Sequence, residues 1–245
     1  EGLKRSVVVA VTADEPAIMK VQGVMTATAI AEYFRGRGED VILMQDSITR
    51  IAMAQREIGL AVGEPPATKG YTPSVFALLP KILERAGAAE RGSITGLYTI
   101  LVEGDDFNEP ISDTVRSILD GHVTLTRKLA QRRHYPAVDV LQSVSRVMID
   151  IVPEQHMLLT GQARQLMATY SENEDLINIG AYVRGTSAEI DRAIAKTPRL
   201  NSFLQQGIRD NATDLAQDLG QLAEILTGEE ISVSTAKAAA TKTAP

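Results

Sequence analysis

Three places in this sequence carry residue types that could do phosphate and nucleotide chemistry. The first is Asp46, which ends Val41-Ile42-Leu43-Met44-Gln45-Asp46-Ser47-Ile48-Thr49-Arg50. A carboxylate at the carboxyl end of a buried strand can hold Mg²⁺ through its waters in a phosphoryl-transfer site. It can equally do no more than cap the next helix. The second is Tyr135-Pro136, after the basic run Arg132-Arg133-His134. An aromatic ring on a proline-fixed turn can wall an adenine ring, or it can be an ordinary half-buried tyrosine. The third is Arg146, within Ser143-Val144-Ser145-Arg146-Val147. Such an arginine can reach a phosphate in a neighbouring subunit and stabilise transition-state charge, or it can form a surface ion pair.

Other chemistries find no support in the residue pattern. Gly-x-x-x-x-Gly-Lys-Ser/Thr, the phosphate cradle, does not occur in these residues. Gly63 to Gly70 is a decoy: Lys69 precedes its second glycine, and Pro65 and Pro66 lack the N–H groups a cradle uses. His122, His134 and His156 have no metal-ligand spacing. Glu103, Asp105 and Asp106 could hold a metal, though helix capping is the commoner use. No nucleophile elbow or Ser/His/Asp order is present.

The elements that must position these residues follow from periodicity. Ser6 to Thr12 is β-branched and predicts a strand. A helix is expected from about Pro16 to Arg35, with Asp14-Glu15-Pro16 before it as a cap candidate and Gly36 to Gly38 ending it. The run ending at Asp46 predicts a strand buried on both faces. Helices follow over Ser47–Ile58 and from a Ser74 cap to Arg85, then a strand over Gly92–Val102. A helix over Ile111–Leu119, a strand near His122–Leu125 and a short helix to Arg132 continue the alternation. That alternation predicts an α/β domain with a mainly parallel sheet flanked by helices, ending near residue 150. Beyond Pro153 only helical spacing remains. A helix carries Leu159, Ala163, Leu166 and Tyr170, a short one covers Asn173–Ile179, and Ser187 caps a third that Pro198 interrupts. Ala212, Leu215, Leu219, Leu222 and Leu226 then keep heptad spacing, giving a small all-α domain over 151–228. That leucine stripe serves either internal packing or a partner. Residues 229–245, rich in Ala, Thr and Lys without aromatics, are expected to be a disordered tail.

The chain has 245 residues, 44% of them hydrophobic and 23% charged, enough to build a core. Its net charge of −6 argues against a nucleic-acid surface as its main business. It has no cysteine, which excludes disulfides and thiolate chemistry. No apolar run approaches the roughly 18 residues of a membrane span.

Together the ordered blocks resemble the flagellar protein export ATPases, with the related injectisome ATPases, of the rotary F/V-type superfamily. The blocks are Gln45-Asp46-Ser47-Ile48-Thr49-Arg50, Ile51 to Glu57, Gly63-Glu64-Pro65-Pro66, Lys69-Gly70-Tyr71, Leu101 to Asp106, His134 to Asp139, Ser143 to Met148, Leu166 to Tyr170 and Arg184-Gly185-Thr186-Ser187. They cover roughly residues 3–226. The resemblance implies a RecA-like nucleotide-binding fold, ATP and Mg²⁺ as ligands, a homohexamer, and stalk, regulatory, chaperone and export-substrate partners. It implies a cytoplasmic location, peripheral at the export gate, and ATP hydrolysis coupled to type III export. By position, Asp46 resembles the Walker B aspartate behind the Mg²⁺ waters. Arg50 resembles the arginine closing that motif near the phosphates and subunit boundary. Tyr135, with Pro136, resembles the adenine wall, and Arg146 the finger entering the adjacent site. Gln45 stands where such proteins often carry another residue. The family's barrel, phosphate loop and catalytic glutamate are not among these residues. The expectation is therefore the second half of the ATPase domain plus the helical domain, unable to hydrolyse ATP alone.

Overall fold

The computed structural model describes residues 2–102, 104, 106, 108–210 and 214–229. The expected tail, from residue 230 on, Glu103 and Asp105 of the acidic block, and Ala212 of the heptad stripe lie outside the described residues. The chain forms two compact units, Glu1–Leu119 and Asp120–Pro245.

The first unit contains α1 (Ala17–Gly36), β1 (Asp40–Gln45), α2 (Ile48–Ala61), α3 (Pro73–Leu83), β2 (Gly87–Ala88), β3 (Ser93–Tyr98) and α4 (Pro110–Ile118). Strands β1 and β3 pair in parallel, from Asp40 opposite Ser93 to Gln45 opposite Tyr98. The two-residue β2 adds antiparallel to the other edge of β3. Parallel neighbours need a crossover, and residues 46–92, with α2 and α3, supply it. Ile48, Val75, Leu79, Ile82 and Ile111 are wholly buried between α2, α3 and α4. Helix α1 lies on the sheet through Ala31, which packs with Leu43 and Ile94. Gly92 is required where β3 begins: it has φ +67, and a Cβ there would lie 2.5 Å from the Glu39 carbonyl.

Four expectations for this unit are corrected. β1 is buried on one face only: Leu43 and Gln45 face inward, whereas Ile42 and Met44 are 68% and 74% exposed. Only the α1 side of the strand is covered by described elements, so burial alternates. The β-branched run Ser6–Thr12 is not a strand, because no described strand pairs with it. Propensity favours an extended chain, but a ladder needs a partner. At α3 the cap position is Thr72, not Ser74, whose N–H instead donates to Glu64 Oε2 at 3.1 Å. The Asp14 cap candidate makes no side-chain bond to α1, whose cap position is Pro16.

The second unit contains β4 (Gly121–Leu125), α5 (Arg127–Gln131), β5 (Val138–Ser145), α6 (Met148–Ile151), α7 (Glu154–Asn178), α8 (Ala188–Leu204) and α9 (Leu215–Thr227). β4 does not extend the parallel sheet. It pairs antiparallel with β5, a strand the periodicity did not show. Helices α7, α8 and α9 pack around Leu159, Leu166, Ala193, Leu200, Leu222 and Leu226. The expected short helix over Asn173–Ile179 is the last stretch of a continuous α7. Asn173 donates its amide to the Thr169 carbonyl one turn back, and the helix ends only before Gly180 (φ 72). Pro198 does not interrupt α8, since Ala193 and Leu200 on either side of it are buried in one core. Ser187 does cap α8, accepting from the Ile190 N–H. Of the leucine stripe, Leu219, Leu222 and Leu226 are buried within this unit, and only Leu215 is half-exposed. Internal packing accounts for the stripe.

Candidate functional site

At the end of β1 the backbone turns from strand into α2, and Ser47, not Asp46, caps the helix. The Ser47 side chain accepts from the Arg50 N–H. Asp46 is thereby left for something else. Its Oδ1 accepts a hydrogen bond of 2.8 Å from Thr99 Oγ1, just beyond the end of β3. The parallel register places Gln45 opposite Tyr98, so Thr99 comes up beside Asp46. The Thr99 N–H donates to the Gln45 carbonyl and the Ile48 N–H donates to the Thr99 carbonyl, fixing both strand ends. The carboxylate is thus oriented at one oxygen and remains exposed.

Asp46 and Arg50 line the same cleft, of about 560 Å³, together with Thr12, Lys20, Gln45 and Ser47. Lys20 Nζ donates to the Ala13 carbonyl. Among the described residues the Arg50 guanidinium has no ion-pair or hydrogen-bond partner, so its charge is available to an anion. No group of three or more His, Cys, Asp or Glu able to hold a metal ion is found among the described residues. A single carboxylate suits an outer role: it fits a Mg²⁺ held mainly by phosphate and water, with Asp46 accepting from that water, and not a cage built by protein. Asp106 is engaged by Lys69 at 2.9 Å, which holds its carboxyl below the usual range, and it also accepts from the Asn108 N–H. Glu109 caps α4.

Tyr135, Pro136 and Arg146 belong to the second unit. Tyr135 is 54% exposed on the turn between α5 and β5, and the Tyr135–Pro136 bond is cis. Two residues that sequence reasoning did not single out hold this turn. The Gln206 N–H donates to the Tyr135 carbonyl at 2.7 Å, and Gln205 Nε2 lies 3.5 Å from His134 Nδ1. Pro136, Phe203, Gln205 and Gln206 line a cleft of about 770 Å³. Their only sequence signal was the end of the α8 stripe at Phe203/Leu204. Arg146 follows the far end of β5, exposed, with its N–H donating to the Asp120 carbonyl at 2.8 Å. An eight-residue strand separates it from Tyr135. Its ends pair with Gly121 and Leu125, four residue steps of β4, so Tyr135 and Arg146 lie beyond opposite ends of a strand that spans roughly 14 Å.

The chain is similar to known proteins. Residues 1–145 match the model of the ATP synthase alpha/beta family, nucleotide-binding domain. The chain belongs to that family. Residues 152–224 match the T3SS EscN ATPase C-terminal domain. A flagellum-specific ATP synthase of Bacillus subtilis is 58% identical over 230 residues, 94% of this chain and 52% of its own. The assembled ATPase EscN of the enteropathogenic E. coli type III secretion system superposes with a TM-score of 0.85 at 47% identity, covering 88% of this chain and 52% of that one. EscN in complex with its central stalk EscO gives 0.80 at 45% identity, covering 88% and 51%. The chain spans about half the length of the curated relatives it matches. No helix among the described residues is long and apolar enough to cross a membrane.

One ionic cluster bears on the Tyr135 turn. Glu174 on α7 accepts from Lys128 Nζ and from Arg132, at 3.0 Å each, and so ties down α5, which runs into the turn. The Lys128 bond, with Arg132 beside it, holds the Glu174 carboxyl below the usual range against the opposing effect of burial. A carboxyl with a depressed folded pKa stabilises the fold above its unfolded value, about 4.3. That stabilisation is lost as pH falls through the folded value. Glu174→Gln is expected to lower stability by about 1 kcal/mol at pH 7. The difference should narrow as pH falls below the unfolded value. Parallel denaturant melts at pH 7 and pH 3 check this, and a gap as wide at pH 3 as at pH 7 contradicts it.

Proposed function

We propose that this chain supplies the metal-positioning and subunit-facing parts of a homohexameric ATPase that couples ATP hydrolysis to type III, specifically flagellar, protein export. The observation that carries the reading is Asp46: Ser47 takes the helix cap, and Thr99 orients the freed carboxylate over a cleft shared with Arg50. Mg²⁺–ATP, when bound, would supply the phosphoryl group and a cation to neutralise its developing charge. Asp46 orients the ion's waters, Arg50 attracts phosphate charge, Tyr135 and Pro136 wall the base, and Arg146 serves the neighbouring subunit's site. Residues 1–150 form the nucleotide-binding part and 151–228 the helical domain, a division supported by where the two family models meet.

The flagellar branch is supported by the 58% identity of the Bacillus relative against 47% for EscN. The assembled EscN and its stalk complex support a ring and a stalk partner, and export chaperones and substrates complete the proposal. A separate role for α9 as a docking stripe is disfavoured, because Leu219, Leu222 and Leu226 are buried in their own unit.

The test is nucleotide affinity in the assembled protein. Tyr135→Ala is expected to raise the ATP KM by roughly 10-fold with a smaller effect on kcat, because stacking on the base is largely uniform binding. Tyr135→Phe should retain wild-type KM, since the ring and not the hydroxyl does the stacking. An unchanged KM in the alanine variant rejects the adenine wall.

A further inference from the structure

We propose that Arg164, on α7, is a positioning residue that sets which way Arg146 points; this rests on the reading of Arg146 above. The observation is a bulge in β5. Thr124 pairs with Asp139 and His122 with Val144, so β4 advances two residues while β5 advances five. Three residues of β5 are therefore surplus to the ladder. Three is odd, and side chains alternate with period two, so this insertion decides which face each residue beyond it presents. Arg146 follows directly, its N–H joined to the Asp120 carbonyl.

The bulge is held by named groups. Asp139 Oδ1 accepts from the Leu141 and Gln142 N–H groups, and Ser143 Oγ donates to the Asp139 carbonyl. The Thr124 N–H donates to Ser143 Oγ, and His122 Nε2 lies 2.9 Å from the Gln142 carbonyl. The outward carbonyls of the bulge have one common partner. Arg164 donates to Val140 and Ser143 through Nη1, at 2.5 and 3.1 Å, and to Leu141 through Nη2, at 3.2 Å. One planar guanidinium thus fixes three carbonyls, a task a lysine ammonium cannot repeat. These bonds are exposed, so water can replace them at little cost in stability. What water cannot replace is their geometry. Arg164 lies within the residues matching the helical-domain model, whereas β5 lies within those matching the nucleotide-binding model. The contact therefore links the orientation of α7 to that of Arg146.

The experiment measures ATP turnover and amide hydrogen exchange in the assembled protein for Arg164→Ala, Arg164→Lys and Arg146→Ala. Arg164→Ala is expected to lower kcat by roughly 10- to 100-fold, as expected when a reacting group is misplaced by about 1 Å. The ATP KM should stay within about 2-fold. Exchange at amides 140–146 should rise while that of the α7–α9 core is unchanged. Arg164→Lys keeps the charge and the aliphatic stem, and so covers an alanine variant that does not fold; its kcat should fall partway. Unchanged kcat in a folded Arg164 variant, with Arg146→Ala inactive, overturns the positioning role and leaves the function reading intact. So does a loss confined to KM. Full activity in Arg146→Ala overturns both.

Discussion

Asp46→Asn is expected to reduce ATP turnover of the assembled protein on the order of 10²- to 10³-fold, the scale seen when one preorganised electrostatic group is removed from a transition state. The substitution is chosen because it preserves shape. An asparagine carbonyl can still accept from Thr99 Oγ1, and Ser47 continues to cap α2, so the loop should stay in place. The altered side chain is exposed and makes no other bond among the described residues, so stability should change by no more than about 0.5 kcal/mol. What disappears is the negative charge facing the cleft. Nucleotide affinity without Mg²⁺ should be close to wild type, whereas the gain in affinity on adding Mg²⁺ should shrink. Titrations with and without the ion, beside steady-state rates, separate these effects. A variant with normal turnover and an undiminished Mg²⁺ response would return Asp46 to a purely structural part.

The contrast between Asp46 and its surroundings shows what was legible in the sequence. An apolar run ending in a carboxylate identifies a strand end, and the strand is where it was expected. The choice between cap and ligand was not legible, because Asp46 and Ser47 are both good caps and differ only in backbone geometry. Thr99 was invisible for another reason. Its partnership with Asp46 depends on the parallel register of β1 and β3, which joins residues 53 apart in sequence. The one-sided burial of β1 was misread because an apolar run carries no record of which face is covered. Ile42 and Met44 look the same as Leu43 in the sequence, yet only Leu43 meets α1.

The second unit repeats the lesson in another form. β5 escaped the reading because its alternation is broken by the odd insertion between Asp139 and Val144. A period-two search fails across such a break, even though each flank is strand-like. The helices were easier, since their stripes are long. The errors there, at Asn173 and Pro198, both came from trusting local breakers over a shared core. Tyr135 and Arg146 were found by type and neighbourhood. That β5 sets them at opposite ends of one strand emerged only from the pairing, and the proposal places Arg146 in the neighbouring subunit's site.

Arg146→Ala should therefore lower kcat by about 10³-fold or more, the scale of an arginine finger, with ATP affinity nearly unchanged. On its own this loss would not show which subunit's site Arg146 serves. Mixing resolves it. An Asp46→Asn subunit retains Arg146, and an Arg146→Ala subunit retains Asp46. If each site draws Asp46 from one subunit and Arg146 from the next, a ring assembled at random from equal parts of the two has about one quarter of its head-to-tail interfaces complete. Two nearly inactive proteins should then recover a measurable share of wild-type turnover when co-assembled. If Arg146 acted within its own subunit, no subunit of the mixture would hold both groups, and mixing would restore nothing. Rings mixed with wild-type subunits provide the calibration, since they report subunit exchange independently of complementation.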